Sequence, residues 1–225
     1  MLSIWRTTVG KKVAMAITGL VLFGFVLLHM MGNLKIYQGP EKFNDYARFL
    51  REMGSPMVPH SGALWVSRAV LLAAAVIHVL AAVDLWLLGR TARPIPYRFK
   101  ENLAAGYSTS TMRWGGIALL FFVIYHIFHL TFGLTGLGGQ RYDPENVYAN
   151  VVHGFSVWYI SAFYVTAMAA LGIHIFHGFW SLFQTLGLNS PRANGPLKAA
   201  AISAAVLIAA GNMSIPVAVL AGILR

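Results

Sequence analysis

The stretch that decides the fold is KKVAMAITGLVLFGFVLLHMMGNLK at residues 11–35, in which no charged residue occurs between Lys12 and Lys35. About 20 apolar residues are enough for an α-helix to cross the hydrocarbon of a bilayer. Arg6, Lys11 and Lys12 precede the run as in a signal peptide, but the run exceeds the roughly 7 to 15 residues of a signal-peptide core. Similar runs also follow it. The stretch is therefore predicted to remain as a membrane helix.

Two further segments of the chain are also long, apolar and free of charged residues. No Asp, Glu, Lys or Arg occurs between Arg113 and Arg141 or between Lys198 and Arg225. Only 11% of all residues are charged and 57% are apolar, whereas a soluble domain has about twice that charged fraction. The chain is predicted to be an all-α membrane protein with one transmembrane domain over residues 1–225 and a bundle made by its first four helices. The five approximate spans are 12–34, 62–89, 112–137, 155–187 and 197–223.

Composition also limits the chemistry. The chain has no cysteine, which excludes thiolate-bound iron–sulfur clusters, disulfides and cysteine nucleophiles within it. Such chemistry would have to be carried by partner chains. The net charge of +10 is compatible with nucleic-acid binding, but basic residues in membrane proteins gather in cytoplasmic loops and meet anionic lipid. Lipid is the preferred interpretation, and no nucleic-acid partner is expected.

The distribution of basic residues predicts the orientation. With the N-terminus on the cytoplasmic side of the inner membrane, ten of the 17 basic residues face the cytoplasm, as the positive-inside rule requires. They are Arg6, Lys11, Lys12, Arg90, Arg93, Arg98, Lys100, Arg113, Arg192 and Lys198.

Two loops have a predicted character of their own. The first outer loop carries apolar residues at helical spacing, which are Phe43, Tyr46, Leu50 and Met53. Gly54 and Pro56 then stop the pattern, which predicts a short amphipathic helix on the membrane surface. The inner loop at 90–110 contains Pro94 and Pro96 and several basic residues. It is predicted to be an extended segment on which a cytoplasmic partner docks.

Six of the eight histidines lie within the predicted spans; they are His29, His78, His126, His129, His174 and His177. An imidazole in hydrocarbon needs a partner, so an intramembrane histidine is functional by default. Its alternative role is a hydrogen bond to a neighbouring helix. Because four different helices each carry an intramembrane histidine, we interpret these histidines as metal ligands. His60 and His153 lie at span ends and are expected to be solvated.

The helical rise sorts four of these histidines by depth. At 1.5 Å per residue, His29 lies ~25 Å along the first span and His126 ~20 Å along the third, both in the outer half of the bilayer. His78 and His174 lie on inward-running spans, ~18 to 20 Å from the inner surface. We therefore expect His29 to face His126, and His78 to face His174.

Two histidine pairs at two heights are what two stacked haems need, because each iron takes one axial nitrogen from each side. Two such centres would conduct electrons across the bilayer. The motif His-Ile-Phe-His occurs at both 126–129 and 174–177, and i and i+3 share a helix face, so by depth alone either histidine of each motif could be the ligand. A binuclear metal site is disfavoured because no intramembrane carboxylate lies near. His129 and His177 are expected to bond a propionate or backbone.

Several motifs point to a family. GKK at 10–12 leads through Thr18 and Gly19 to LHMMGNL at 28–34. Four more motifs follow, which are FNDY at 43–46, IH at 77–78, YH at 125–126 and HIFHGFWSLFQTLG at 174–187. In these motifs the chain resembles the b558-type cytochrome b subunit of succinate dehydrogenase and fumarate reductase, a single-chain membrane anchor with two haems. The resemblance extends to about residue 190.

The resemblance implies a membrane anchor of succinate:quinone oxidoreductase that binds two haem b groups. It places the axial ligands of the outer haem on His29 and His126 and those of the inner haem on His78 and His174, and so selects the first histidine of each His-Ile-Phe-His motif. The implied partners are a flavoprotein with FAD, an iron–sulfur subunit and a membrane quinone, expected to be menaquinone. Succinate oxidation is implied to occur on the partners and not in this chain.

Two other functions are alternatives. A dihaem cytochrome b subunit of a hydrogenase or formate dehydrogenase would carry similar ligands but a different partner enzyme. A histidine-lined transporter is disfavoured because it would show broken helices and paired repeats. Candidate quinone contacts are Trp180, Ser181, Gln184 and Asn33, and candidate propionate partners are Arg68, Arg113 and Trp114. Interfacial anchoring is the alternative role of these side chains.

Overall fold

A computed structural model describes Trp5 and residues 7–92, 107–133 and 141–225. In these ranges the chain consists of α-helices, one 3₁₀ turn and one π turn, without any strand. Within these ranges, five helices are long and apolar enough to cross a bilayer. The prediction of an all-α membrane protein with five spans is confirmed.

The helices are numbered in chain order. They are α1 (Thr8–Asn33, followed by the 3₁₀ turn Leu34–Gln38), α2 (Pro40–Glu52), α3 (Gly62–Thr91), α4 (Tyr107–His126, continued by the π turn Ile127–Thr131), α5 (Val147–Ser156), α6 (Trp158–Thr185) and α7 (Asn194–Leu220). The five spans are α1, α3, α4, α6 and α7.

Parts of the predicted topology lie outside the described residues. These are most of the inner loop at 90–110, with Pro94 and Pro96, and residues 134–137 of the third predicted span. Four of the basic residues that are predicted to face the cytoplasm also lie outside the described residues; they are Arg6, Arg93, Arg98 and Lys100.

The helix α1 begins earlier than the predicted residue 12 because of its N-terminal cap. The hydroxyl of Thr7 accepts a hydrogen bond from the amide of Gly10 at 2.9 Å. This bond satisfies one of the amides that the first helical turn leaves without a partner. Apolar periodicity marks the membrane-crossing part of a helix, whereas the cap marks its start.

The fourth predicted span, 155–187, is divided in the structure. The helix α5 ends at Ser156, Val157 has extended backbone, and α6 begins at Trp158. The hydroxyl of Ser161 donates to the carbonyl of Phe155 at 2.6 Å, which satisfies an acceptor at the break. Hydropathy did not reveal α5 because this short helix is nearly as apolar as the span that follows it.

The spans pack as antiparallel neighbours around α6. The helix α1 lies along α3, while α4 and α7 lie along α6, and α1 also contacts α6 and α7. Near one end of the bundle, Lys11 of α1 forms an ion pair with Asp84 of α3 at 2.9 Å. Because these residues belong to the start of one helix and the end of the other, the two helices run in opposite directions. We call this end, which carries Thr8, the N-terminal end.

The opposite end of the bundle is closed by α2 and α5, which we call the roof. The amphipathic helix predicted in the first loop is present as α2, and its Phe43 is buried against Tyr148 of α5 with ring centroids 6.5 Å apart. The side-chain amide of Asn44 donates to Asn146 at 3.2 Å, and its oxygen accepts from the amide of Tyr148 at 3.0 Å. Arg51 reaches Glu145 at 3.1 Å. Polar bonds therefore join the two roof helices.

Replacing Asn44 with alanine is expected to lower the free energy of unfolding by about 1–3 kcal/mol, because two hydrogen bonds are lost at about 0.5–1.5 kcal/mol each. Thermal unfolding in detergent measures the change. Asp45→Ala is the matched control, since its ion pair with Arg48 is exposed and contributes about 0.5 kcal/mol. Equal losses in the two variants would show that Asn44 does not hold the roof together.

Candidate functional site

The structure brings two pairs of histidines together, each pair across two helices. The rings of His29 on α1 and His126 on α4 have centroids 5.9 Å apart and planes at 86°. The rings of His78 on α3 and His174 on α6 have centroids 6.3 Å apart and planes at 60°. The pairing is the one that helical depth predicts. His60 is exposed and His153 is half-buried on α5, and both lie outside the pairs.

The two pairs lie at two levels of the bundle. The ring of His78 lies beside Thr18 of α1, and His29 follows about 16 Å further along that helix at 1.5 Å per residue. The His29–His126 pair is therefore nearer the roof, and we call it the roof pair. The His78–His174 pair is nearer the N-terminal end, and we call it the lower pair.

The spacing within each pair suits one metal ion held between two imidazoles. Metal–nitrogen bonds of about 2 Å on opposite sides of an ion put two ring centroids about 6 Å apart. The observed separations are 5.9 and 6.3 Å. Among the described residues, no group of three or more His, Cys, Asp or Glu side chains could hold a metal ion. The two imidazoles of each pair could hold a haem, whose macrocycle would supply the remaining bonds to iron.

The helices that carry each pair leave space between their backbones. The close packing in the described part of the chain joins α1 to α3 and α4 to α6, and it includes neither α1 with α4 nor α3 with α6. The imidazoles therefore meet across gaps in the bundle, and all four are half-buried. A Cβ atom added at Gly116 would lie 3.8 Å from the ring of His174, and one added at Gly115 would meet nothing within 4 Å. Gly116 therefore lies beside His174 and places no side chain between α4 and that ring.

The backbone of α1 fixes the tautomer of His78. Its Nδ1 lies 3.1 Å from the carbonyl oxygen of Met15, and because a carbonyl only accepts, this nitrogen must carry the hydrogen. The lone pair of Nε2 is then available to a metal ion. Gly19 permits the close approach, since a Cβ there would lie only 3.2 Å from Cε1 of His78. The local structure therefore fixes both the tautomer of His78 and the position of its ring against α1.

His174, the other member of the lower pair, has an unsatisfied nitrogen. Its Nδ1 is buried and finds no hydrogen-bond partner among the described residues. An unpaired polar atom inside a membrane-spanning bundle is costly. Such an atom fits a position that a group from outside the chain completes.

The two histidines of the first His-Ile-Phe-His motif have different surroundings. His126 faces His29, whereas His129 is completely buried, with 0% of its surface exposed, among the rings of Phe155 and Tyr164. The Tyr164 hydroxyl lies 3.2 Å from Nδ1 of His126 and 2.8 Å from Nδ1 of His129. No sequence pattern predicts the role of Tyr164, because a tyrosine in an apolar span carries no signal of the partner that its hydroxyl finds.

The candidate propionate partners lie near the two ends of the bundle. The guanidinium of Arg68 lies 4.8 Å over the ring of Trp65 near the start of α3. The guanidinium of Arg113 lies 4.8 Å over the ring of Trp86 at the N-terminal end. The indole nitrogen of Trp86 is buried without a hydrogen-bond partner among the described residues. Trp114 is 71% exposed, as expected for an interfacial anchor.

The candidate quinone contacts fall into two separate regions. Trp180, Ser181 and Gln184 lie near the C-terminal end of α6, and Asn33 is the last residue of α1, beside the roof. Trp180 and Ser181 are half-buried, whereas Gln184 is exposed. The candidates therefore define one region at each end of the bundle.

The fold and the site define a multi-pass membrane protein in which four helices present two opposed histidine pairs. Residues 96–212, more than half of the chain, match the family of succinate dehydrogenase/fumarate reductase transmembrane subunits, and the chain belongs to this family. The matched region contains His126 and His174, whereas His29 and His78 precede it. No curated protein and no solved structure matches the chain.

Proposed function

We propose that the chain is the dihaem cytochrome b anchor, of the single-chain b558 type, of a succinate:quinone oxidoreductase. In this role it passes electrons between an iron–sulfur partner subunit and a membrane quinone. His29 and His126 would be the axial ligands of one haem b, and His78 and His174 those of the other. The observation that carries the proposal is the presence of two opposed imidazole pairs, 5.9 and 6.3 Å apart, in a chain of this family.

Each part of the chain has a separate task in this function. Haem iron, when bound, supplies one-electron redox chemistry. Met15 holds the Nδ1 hydrogen of His78, which directs Nε2 to the metal. The apolar walls of the spans exclude water and keep both sites in a low-dielectric interior. The chain has no cysteine to hold a cluster, so iron–sulfur clusters belong to the partner, and succinate oxidation belongs to the FAD flavoprotein.

The partner subunits are proposed to dock on the N-terminal end, on the cytoplasmic side of the inner membrane. Support comes from the basic residues there, which include Lys11, Lys12, Arg90 and Arg113. Electrons from the clusters would then enter near the lower pair. Menaquinone is the proposed quinone, and the direction of transfer is either succinate oxidation or fumarate reduction.

The purified membrane complex is expected to contain two haem b groups per copy of this chain, with the low-spin absorption spectrum of bis-histidine ligation. Pyridine haemochrome analysis combined with quantitation of the chain measures the ratio. Succinate dehydrogenase activity should co-purify with the chain, whereas hydrogenase or formate dehydrogenase activity would assign it to another enzyme. A haem content of one or none in the intact complex would refute the proposal.

A further inference from the structure

The hydroxyl of Tyr164 lies against His126 of the roof pair. Tyr164 belongs to α6 and only 5% of its surface is exposed. Its ring packs edge-on against Phe122 and Phe155, with centroids 5.0 and 4.8 Å away. This packing fixes the hydroxyl between Nδ1 of His126 at 3.2 Å and Nδ1 of His129 at 2.8 Å.

The chemistry of donors and acceptors gives these two bonds a direction. If Nε2 of His126 ligates a metal ion, its Nδ1 carries the hydrogen and donates to the oxygen of Tyr164. In the tautomer of His129 whose Nδ1 carries no hydrogen, this nitrogen accepts the single hydrogen of the Tyr164 hydroxyl. The result is a directed chain of bonds from His126 through Tyr164 to His129. In such a chain each bond polarises the next.

We propose that Tyr164 is a positioning residue for the roof-pair haem, an inference that rests on the proposed function. By accepting the Nδ1 hydrogen of His126, Tyr164 fixes the tautomer and the plane of that imidazole. The same bond makes the ring a stronger electron donor to iron, which favours the ferric state and lowers the reduction potential of this haem. In the lower pair the corresponding acceptor for His78 is the backbone carbonyl of Met15.

The pairs therefore differ in how their potentials are set. A backbone carbonyl is present whatever the side chain, so the sequence at position 15 leaves that bond unchanged. The bond to His126 depends on one hydroxyl and can be removed without removing the ring that carries it. The roof pair thus loses its acceptor when one hydroxyl is removed. In the lower pair the Met15 carbonyl, 3.1 Å from Nδ1 of His78, would remain even if the Thr18 hydroxyl, 3.3 Å from the same nitrogen, were removed.

Tyr164→Phe in the purified complex tests the inference, because it deletes the hydroxyl and keeps the ring. Both haems should remain, and the ferric–ferrous equilibrium of the roof-pair haem should shift threefold to tenfold toward ferrous, a rise of about 30 to 60 mV for one electron. Potentiometric titration followed by absorption measures the shift. The electron paramagnetic resonance signal of the same ferric haem should also move, since it reports the relative orientation of the two imidazole planes.

Two controls separate the hydroxyl from its surroundings. Tyr159→Phe deletes a hydroxyl from the same helix at an exposed position and should leave both potentials unchanged. His129→Phe keeps an aromatic ring but removes the group that accepts the Tyr164 hydrogen. This variant should shift the roof-pair potential in the same direction by less. The potential of the lower-pair haem is the internal control in every variant.

The outcomes distinguish this inference from the proposed function. A native complex with fewer than two haems contradicts the proposed function itself. If the native complex contains two haems and the potential of the roof-pair haem is the same in Tyr164→Phe, only the role of Tyr164 is overturned. If Tyr164→Phe loses the roof-pair haem, the potential of that haem in His129→Phe decides the role of Tyr164. An upward shift of its potential then supports the hydrogen-bond chain, and an unchanged potential refutes it.

Discussion

Replacing His174 with alanine is expected to halve the haem content of the complex, whereas the same replacement at His177 leaves both haems in place. The two histidines belong to one motif and share a helix face, but the ring of His174 is the one that lies 6.3 Å from His78. Among the described residues, no group of three or more potential ligands surrounds either pair, so a lost ligand has no substitute. Pyridine haemochrome analysis of each purified variant gives the haem ratio.

Pairs of substitutions make the same test sharper. His78→Ala and His174→Ala should each remove the lower-pair haem, so the double variant should retain as much haem as either single variant. Combining His78→Ala with His126→Ala should remove both haems, because the two changes affect separate sites. Loss of haem in His177→Ala with retention in His174→Ala would reverse the ligand assignment within the motif. Equal retention in all single variants would reject the histidine pairs as haem ligands.

The pairing of the four histidines could be predicted from the sequence because it follows from the rise per residue of an α-helix, which is constant. Each residue advances a helix by 1.5 Å, so position along an apolar span gives depth, and depth matched His29 with His126. The choice between His126 and His129 depends on which direction each ring takes in the bundle. Depth leaves that choice open, whereas the structure places His126 beside His29 and buries His129 in an aromatic cluster.

Features that depend on individual hydrogen bonds could not be predicted. The separation of α5 from α6 at Val157 is one example, because Ser161 and Phe155 satisfy the break locally while both sides of it are apolar. The bond from Tyr164 to His126 is another, since the residues are 38 positions apart. The bond from His78 to the Met15 carbonyl joins residues 63 positions apart. Hydropathy and helical spacing do not report such pairs.

The glycine at position 19 provides the second large effect, since Gly19→Val is expected to eliminate the lower-pair haem. An added Cβ would already lie 3.2 Å from Cε1 of His78, and the two γ-methyl groups of valine extend further into the same space. The imidazole must then move away from α1 and lose its bond to the Met15 carbonyl. The roof-pair haem should remain, because it lies about 16 Å further along the bundle axis.

Gly24→Val is the matched control for this substitution. It introduces the same β-branched residue in the interior of the same helix, so the cost in helix propensity is equal. A Cβ at Gly24 would meet nothing within 4 Å, and at about 100° per residue it lies on a different face of α1 from Gly19. Haem content and the potentials of the remaining haem are measured in both purified complexes. Two haems with native potentials in Gly19→Val would mean that His78 does not need its place against α1, and equal haem loss in Gly24→Val would point to α1 stability as the cause.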